Sequence, residues 1–355
     1  MQFDYLKVNY VRNISNIYLD PAAGLNLIVG PNASGKTSLL EAIHLLARAR
    51  SFRTPRIKEV IQWQQETLQV IARVSREGMA SVSTGIEKSY GSTVIRYKGE
   101  PLKTVSEQAN NIPLVIITPD THLLVTGAPK DRRRWLDWAM FHVEPLYIKV
   151  WRNYHKALRN RNRLLKYGGN EKELVGWENI MSAAANSLDE FRQRFIKELQ
   201  KQLSRATEGA FLTTPTLSFN KGCPDETSFE EYLKTDRGKD RQLGFTKHGP
   251  HKADVHFWDG DSLLSQTYSR GQVKRFVTAL LVAQANTHES ISGDKPVFLI
   301  DDYTAELDSH GRKELLRLMC VYGGQIFLTS TEIDEDLDNV TLFHVERGNF
   351  NKVVK

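Results

Sequence analysis

Gly30, Gly35, Lys36 and Thr37 stand at the spacing G-x-x-x-x-G-K-T, and the chemistry such a spacing serves is the holding of phosphate. Glycines let successive backbone N–H groups converge on phosphate oxygens, and a following helix adds the positive end of its dipole. The expected ATP-binding stretch is therefore Gly30, Pro31, Asn32, Ala33, Ser34, Gly35, Lys36, Thr37 and Ser38. Lys36 would reach the β- and γ-phosphates, and the Thr37 hydroxyl would ligate Mg²⁺. A plain glycine turn before a helix is the alternative, and four fixed positions recur by chance in about one such chain in a hundred. The surroundings favour the cradle, because Leu25 to Val29 reads as a buried strand and Ser38 to Leu46 as a helix.

A second set of residues narrows the chemistry to hydrolysis of a bound triphosphate. Val297-Phe298-Leu299-Ile300 is an apolar run that ends in Asp301 and Asp302. Asp301 is expected to hold Mg²⁺ with Thr37, and Asp302 to orient or deprotonate the attacking water. Taken alone, two aspartates at a strand end are often a helix cap or a solvated turn. Upstream, Ser269-Arg270-Gly271-Gln272 precedes the apolar stretch Phe276 to Ala285, and Ala305-Glu306-Leu307-Asp308 follows the acids. In that order after a phosphate loop these strings resemble the signature motif, Walker B strand and D-loop (Glu306, Asp308) of ABC-type ATPases. The resemblance implies that Ser269, Arg270, Gly271 and Gln272 complete the site of a second copy, and so an ATP-dependent homodimer. Lys36, Asp301 and Asp302 are then the catalytic set, with ATP and Mg²⁺ as cofactors. No histidine follows the strand Gln325 to Thr329, where many such ATPases carry one, and a Q-loop residue would be sought near Thr118 to Asp120.

The elements that must position these residues come from both chain ends. Phe3–Val8, Leu25–Val29, Leu68–Val74, Ile112–Ile117, Val297–Ile300, Gln325–Thr329 and Val340–Val345 read as strands, and Ala80–Ile86 with Thr93–Tyr97 as a hairpin. Between them, apolar residues recur at helical spacing from Pro145 to Tyr167 and again from Trp177 to Leu203. Tyr167-Gly168-Gly169-Asn170 joins the two patterns, which predicts an antiparallel helical pair whose first member is about 35 Å long. Asp236 to Arg241 reads as a charged loop. The fold class expected is α/β: an ABC-type, SMC-like P-loop ATPase head with an inserted helical lobe. Lobe I takes residues 1–118 and 294–355. Lobe II takes 119–293, with a helical arm over about 144–204 and the signature motif.

At 355 residues and 40% hydrophobic content the chain has material for two cores. No apolar run approaches the roughly 18 residues of a membrane span. Asp4, Lys7 and Arg12 make a poor secretory signal, and Cys223 and Cys320 lie far apart without metal-ligand spacing. Those features predict a cytoplasmic protein with no membrane partner. The net charge of +6 permits nucleic-acid binding without requiring it.

Three further segments are more distinctive than a phosphate loop. They are Ile117-Thr118-Pro119-Asp120, the run from Gly127 to Asp137 (GAPKDRRRWLD), and His248-Gly249-Pro250-His251-Lys252-Ala253-Asp254. With the opening Tyr10-Val11-Arg12-Asn13, they make the chain resemble, end to end, the RecF family of bacterial recombinational-repair ATPases, small relatives of the SMC proteins. That resemblance implies a weak ATPase that binds double-stranded DNA and single-strand/double-strand junctions and dimerises with ATP. It further implies work with RecR and RecO to direct recombinase loading at gaps, in replication restart and the SOS response. An ABC transporter's nucleotide-binding subunit is the alternative, an SMC protein would need far longer arms, and a metabolite kinase would leave Ser269 to Lys274 unexplained.

Basic residues that could touch DNA are Arg132 and Arg133, within the run Arg132 to Arg134, and Arg152, Lys156, Arg159 and Arg163 on one helical face. Each could equally be a solvated or ion-paired residue, and part of the Arg132 to Arg134 run could be buried in structural pairs. Trp135 and Trp138 at helical spacing read as core. No aromatic platform of the single-strand binders is evident, which favours duplex DNA. His251 and Lys252 would either sense nucleotide or order the inserted lobe.

Overall fold

The computed structural model describes residues 1–209, 211, 213–224, 227–304, 309–333 and 340–353. They divide into two compact units, one of residues 1–121 and 274–355, the other of residues 122–273.

The first unit holds two six-stranded sheets. One is antiparallel throughout and combines β1 (Gln2–Val11), β2 (Ile14–Leu19), β4 (Thr67–Arg76), β5 (Met79–Ser89), β6 (Thr93–Tyr97) and β7 (Glu100–Pro101) in the order β2-β1-β4-β5-β6-β7. Its strands bury alternate residues, as a sheet packed on one face does: Leu68, Val70, Ala72 and Val74 of β4 all point inward. The other sheet is built from β3 (Leu25–Val29), β8 (Leu114–Ile117), β12 (Val297–Ile300), β13 (Ile326–Ser330), β14 (Thr341–Glu346) and β15 (Asn349–Val353). Its order is β15-β14-β3-β13-β12-β8, parallel except for the edge strand β15. The short, nearly unbroken apolar runs of β3, β12 and β13 belong to strands covered on both faces. Helix α1 (Lys36–Arg48) is buried on almost every side and shares one core with residues of both sheets. A shorter helix, α2 (Val105–Asn111), packs beside it.

The second unit is mostly helical. It contains α3 (Leu123–Thr126), α4 (Pro129–Val143), α5 (Tyr147–Tyr167), α6 (Glu171–Thr207), α7 (Phe229–Thr235), α8 (Arg237–Leu243) and α9 (Leu264–Thr267). A three-stranded sheet of β9 (Thr216–Asn220), β10 (Asp254–Asp259) and β11 (Ser262–Leu263) runs in the order β11-β10-β9. Helices α5 and α6 are antiparallel, since Tyr147 at the start of α5 meets Arg192 late in α6, while Arg161 meets Glu178 early in it. At ~1.5 Å per residue they extend about 31 and 55 Å. The last two helices of the chain, α10 (Arg270–Ser292) and α11 (Ser309–Tyr322), belong to the first unit apart from the opening residues of α10.

Three elements differ from the sequence expectation. The second arm helix starts at Glu171, not Trp177, because the Asn170 side chain caps it by accepting from the Lys172 N–H at 2.8 Å. Asp236 to Arg241 is not a loop: α8 forms there, because Asp240 is drawn inward to accept from Arg161 and Tyr232. The expected lobe limits of 118 and 294 compare with 121 and 274. The difference is the body of α10, almost wholly buried from Phe276 to Ala285 and grouped with the first unit.

Candidate nucleotide-binding site

The phosphate loop bridges β3 and α1 as the spacing requires, and its backbone explains its residues. A Cβ on Gly30 would sit 2.2 Å from the carbonyl oxygen of Val345, so only glycine fits. Gly35 has φ of +121°, a region closed to ordinary side chains, and Ala33 is left-handed at 62°. Lys36 is buried and folds its ammonium onto the carbonyls of Gly30 (2.7 Å) and Pro31 (2.9 Å). Burial pulls its pKa down, opposed by the charges of Asp302 and Asp301.

Two segments clamp the loop from outside. Asn13, in the turn after β1, donates to the Ala33 carbonyl (3.1 Å) and accepts from the Ser38 hydroxyl (2.9 Å). Gly348, between β14 and β15, donates its N–H to the Ser34 carbonyl at 2.7 Å. Behind the loop, Arg12 grips Glu41 with two nitrogens at 2.8 and 2.9 Å, and Ser51 donates to the same fully buried carboxylate. Asn13 and Glu41 carried no role in the sequence reading. The triplet Arg12-Asn13-Ile14 at a hairpin turn gives a weak signal, and an acid on the apolar face of α1 a better one.

The two acids meet the loop through hydroxyls. Thr37 Oγ1 donates to Asp301 Oδ1 at 2.8 Å, and Thr329 Oγ1 donates to the same oxygen at 3.0 Å. Thr329 Oγ1 also accepts the Asp302 N–H at 2.7 Å. Burial raises the Asp301 pKa, countered by these two hydroxyls. Asp302 adopts φ of 53°, which turns the chain at the strand end. The sequence expectation gives Thr329 no role; it lies on the strand after which many such ATPases carry a histidine and this chain does not.

This arrangement fits a bound triphosphate and magnesium. Ser34 Oγ is buried without a hydrogen-bond partner among the described residues, at the centre of the loop. Thr37 and Asp301 offer two hard oxygens side by side, the donor set magnesium takes when phosphates supply the rest. No cluster of three or more metal-ligating side chains exists among the described residues.

The signature segment opens α10 as a reciprocal cap. The Ser269 N–H donates to Gln272 Oε1 at 2.8 Å, and the Gln272 N–H donates to Ser269 Oγ at 3.3 Å. Ser269, Arg270, Gly271 and Gln272 are all exposed, and a Cβ on Gly271 would meet open space. Packing within this chain therefore gives no reason for a glycine there. Glu306 and Asp308 lie outside the described residues.

The candidate DNA contacts separate sharply. Arg132 is not available: it is buried and holds both oxygens of Asp254 at 2.8 and 2.9 Å, with a third bond to the Gly127 carbonyl. Arg133 donates to the Ala253 carbonyl at 3.0 Å. Arg152, Lys156, Arg159 and Arg163 are exposed on α5, where Lys156 lies over the Trp177 ring and Arg163 reaches Glu173 at 3.4 Å. Trp135 and Trp138 are half-buried, Trp135 edge-on to Phe257. His251 orders the inserted unit: Tyr154 donates its hydroxyl to Nδ1 at 2.7 Å, and Nε2 faces the Thr246 carbonyl at 3.1 Å.

A family model described as RecF/RecN/SMC N terminal domain matches residues 3–346. The chain is similar to the DNA replication and repair protein RecF of Pseudomonas entomophila, 36% identical over 98% of this chain and 97% of that one. To the same protein of Pseudomonas syringae pv. tomato it is 35% identical at the same coverage. Among solved structures it is similar to the recombination mediator protein RecF with ATP in the RecFOR pathway. There the TM-score is 0.88 at 26% identity, over 99% of this chain and 97% of that one. An Smc head bound to the C-winged helix domain of ScpA shares the fold alone, at a TM-score of 0.58 and 14% identity over 99% and 97% of the two chains.

Proposed function

Since the chain belongs to the RecF family, we propose that it is an ATP-dependent, double-stranded-DNA-binding repair protein whose slow hydrolysis resets its grip. The observation that carries this reading is the hydroxyl relay Thr37–Asp301–Thr329–Asp302, which ties the phosphate loop to both acids through hydrogen bonds of 2.7 to 3.0 Å. Magnesium held by Thr37 and Asp301 would supply charge for the β- and γ-phosphates. Lys36 leaves the carbonyls of Gly30 and Pro31 for the phosphates, and Ser34 gains the partner it lacks. Asp302 aligns the attacking water. Ser269 and Gly271 close over the γ-phosphate of a second copy, so the ATP-bound form is a homodimer; the exposed, capped start of α10 supports that role.

In the cell this activity would operate in the cytoplasm with RecR, in the RecO pathway, directing recombinase loading at single-strand/double-strand junctions during replication restart and the SOS response. The exposed cations of α5 give a sequence-independent hold on duplex phosphates. Among the described residues no helix is long and apolar enough to cross a membrane.

The test is binding of labelled duplex, single-stranded and gapped DNA with and without ATP and Mg²⁺ across a salt series. Duplex binding that ATP strengthens and salt weakens is expected. A preference for single strands that is indifferent to nucleotide would refute the reading.

A further inference from the structure

A groove of about 590 Å³ opens between α6 and β9, within the inserted unit alone. Its floor is apolar, formed by Ile196, Leu217 and Phe219. Lys197 and Lys201 stand one helical turn apart on the α6 wall, and Lys221, which feels the charge of Asp189, stands on the strand side; among the described residues no carboxylate lines the groove. Lys201 shares its charge with Glu198 at 2.8 Å, whereas Lys197 has no ion-pair partner among the described residues.

The strand side also offers main chain. Among the described residues β9 is the edge of its sheet, with β10 on one side only. The Leu217 N–H does not bond β10: it donates to Gln200 Oε1 at 2.8 Å, and Gln200 Nε2 donates back to the Pro215 carbonyl at 3.1 Å. Gln200 thus imitates a neighbouring strand for one step. Antiparallel pairs alternate, so Phe219, two residues on, turns its own N–H and C=O to that same open edge.

We propose that this groove receives an acidic, amphipathic peptide segment of a partner protein, laid beside β9 as an added strand. Its apolar side chains would cover Leu217 and Phe219, its carboxylates would meet Lys197 and Lys201, and its backbone would pair with Phe219. Nucleic acid is the poorer occupant, because phosphates match the lysines but leave the apolar floor and the strand edge unused. The inference is independent of the nucleotide site, which lies in the other unit.

The probe is a short fluorescent peptide alternating Asp with Leu and Phe, titrated into the full chain and followed by anisotropy. A control peptide carries Asn in place of Asp, and a short duplex serves as competitor. Saturable binding that weakens with salt, with the Asn peptide about tenfold weaker or more, is expected. The double substitution Lys197→Glu, Lys201→Glu should cost a similar factor while ATP binding and the melting temperature stay unchanged. In the wild-type chain, peptide should slow hydrogen exchange at the Phe219 amide. Equal binding of the Asn peptide, indifference to the charge reversal, or an unprotected Phe219 amide would overturn the proposal. Displacement by duplex DNA with the same lysine dependence would make the groove a nucleic-acid surface instead.

Discussion

Thr329 connects the Asp301 carboxylate to the main chain of Asp302. Its one hydroxyl donates to Asp301 and accepts from the Asp302 backbone N–H, so it fixes how the acid proposed to hold magnesium stands against the one proposed to orient water. Thr329→Val keeps the shape of this fully buried side chain but removes both bonds. It should leave nucleotide binding near normal, slow hydrolysis, and lower stability by about 1–3 kcal/mol through the unpaired Asp302 N–H. Single-turnover kinetics and a denaturant titration would check both outcomes, and unchanged hydrolysis would remove Thr329 from the account. Asp302→Asn alters the charge alone, because asparagine tolerates the left-handed backbone at that position. The hydrolytic rate should fall about a hundredfold or more, with ATP-bound dimer accumulating in sedimentation.

At the scale of elements, the inserted unit carries buried polar junctions among its buried apolar side chains. Arg161 is wholly buried between Glu178 (3.1 Å) and Asp240 (2.7 Å), pinning α5 to α6 and α8. Arg161→Met leaves the buried Asp240 without its cation and Glu178 with Arg237 alone, and should cost about 3–5 kcal/mol, read as an early unfolding step of this unit. Gly249 faces the Tyr154 hydroxyl at 2.6 Å and Phe229 at 2.9 Å from where a Cβ would stand, so Gly249→Ala forces apart the segment that His251 anchors. His251 is held neutral, burial depressing its pKa to about 4 from the ordinary 6.5. The unfolded chain therefore takes up a proton between about pH 6.5 and 4 that the folded chain refuses, so stability falls as pH drops through that window. The slope is up to about 1.4 kcal/mol per pH unit. His251→Asn should lower the slope in denaturation curves taken from pH 7 to 5, leaving the share of His44, whose pKa burial depresses to about 3.

These junctions also mark where the sequence stopped being readable. Apolar periodicity located β3, α1, β12 and the first arm helix to within two residues, because each is set by its own side chains; the second arm helix starts six residues earlier than its pattern. Nothing local announces that Arg161 is buried, since its partners are 17 to 85 residues distant. Arg132 misled for the same reason: in sequence it is one of three adjacent arginines, and only Asp254, 122 positions away, explains it. The phosphate loop was legible because its chemistry is compressed into eight consecutive residues. Its support by Asn13, Gly348 and Thr329 was not, because those residues are brought in by three separate strands.

For the whole molecule, the account predicts a division of labour between copies. One chain carries a complete phosphate loop and acid pair, while its signature segment presents an exposed serine and a glycine that its own packing does not need. Salt dependence would distinguish the surfaces further: replacing Arg152, Lys156 and Arg159 together should weaken duplex binding for all sequences and shallow the salt slope by about 1 per lost contact. The most direct test of the central claim is complementation between two damaged copies. Lys36→Arg spoils the site that a chain owns, and Ser269→Arg spoils the site that it completes in its twin. Each variant alone should hydrolyse almost no ATP. Mixed in equal amounts, they should recover about a quarter of the wild-type rate, since half the dimers are mixed and each holds one intact site. A mixture as inactive as its components would contradict the shared site.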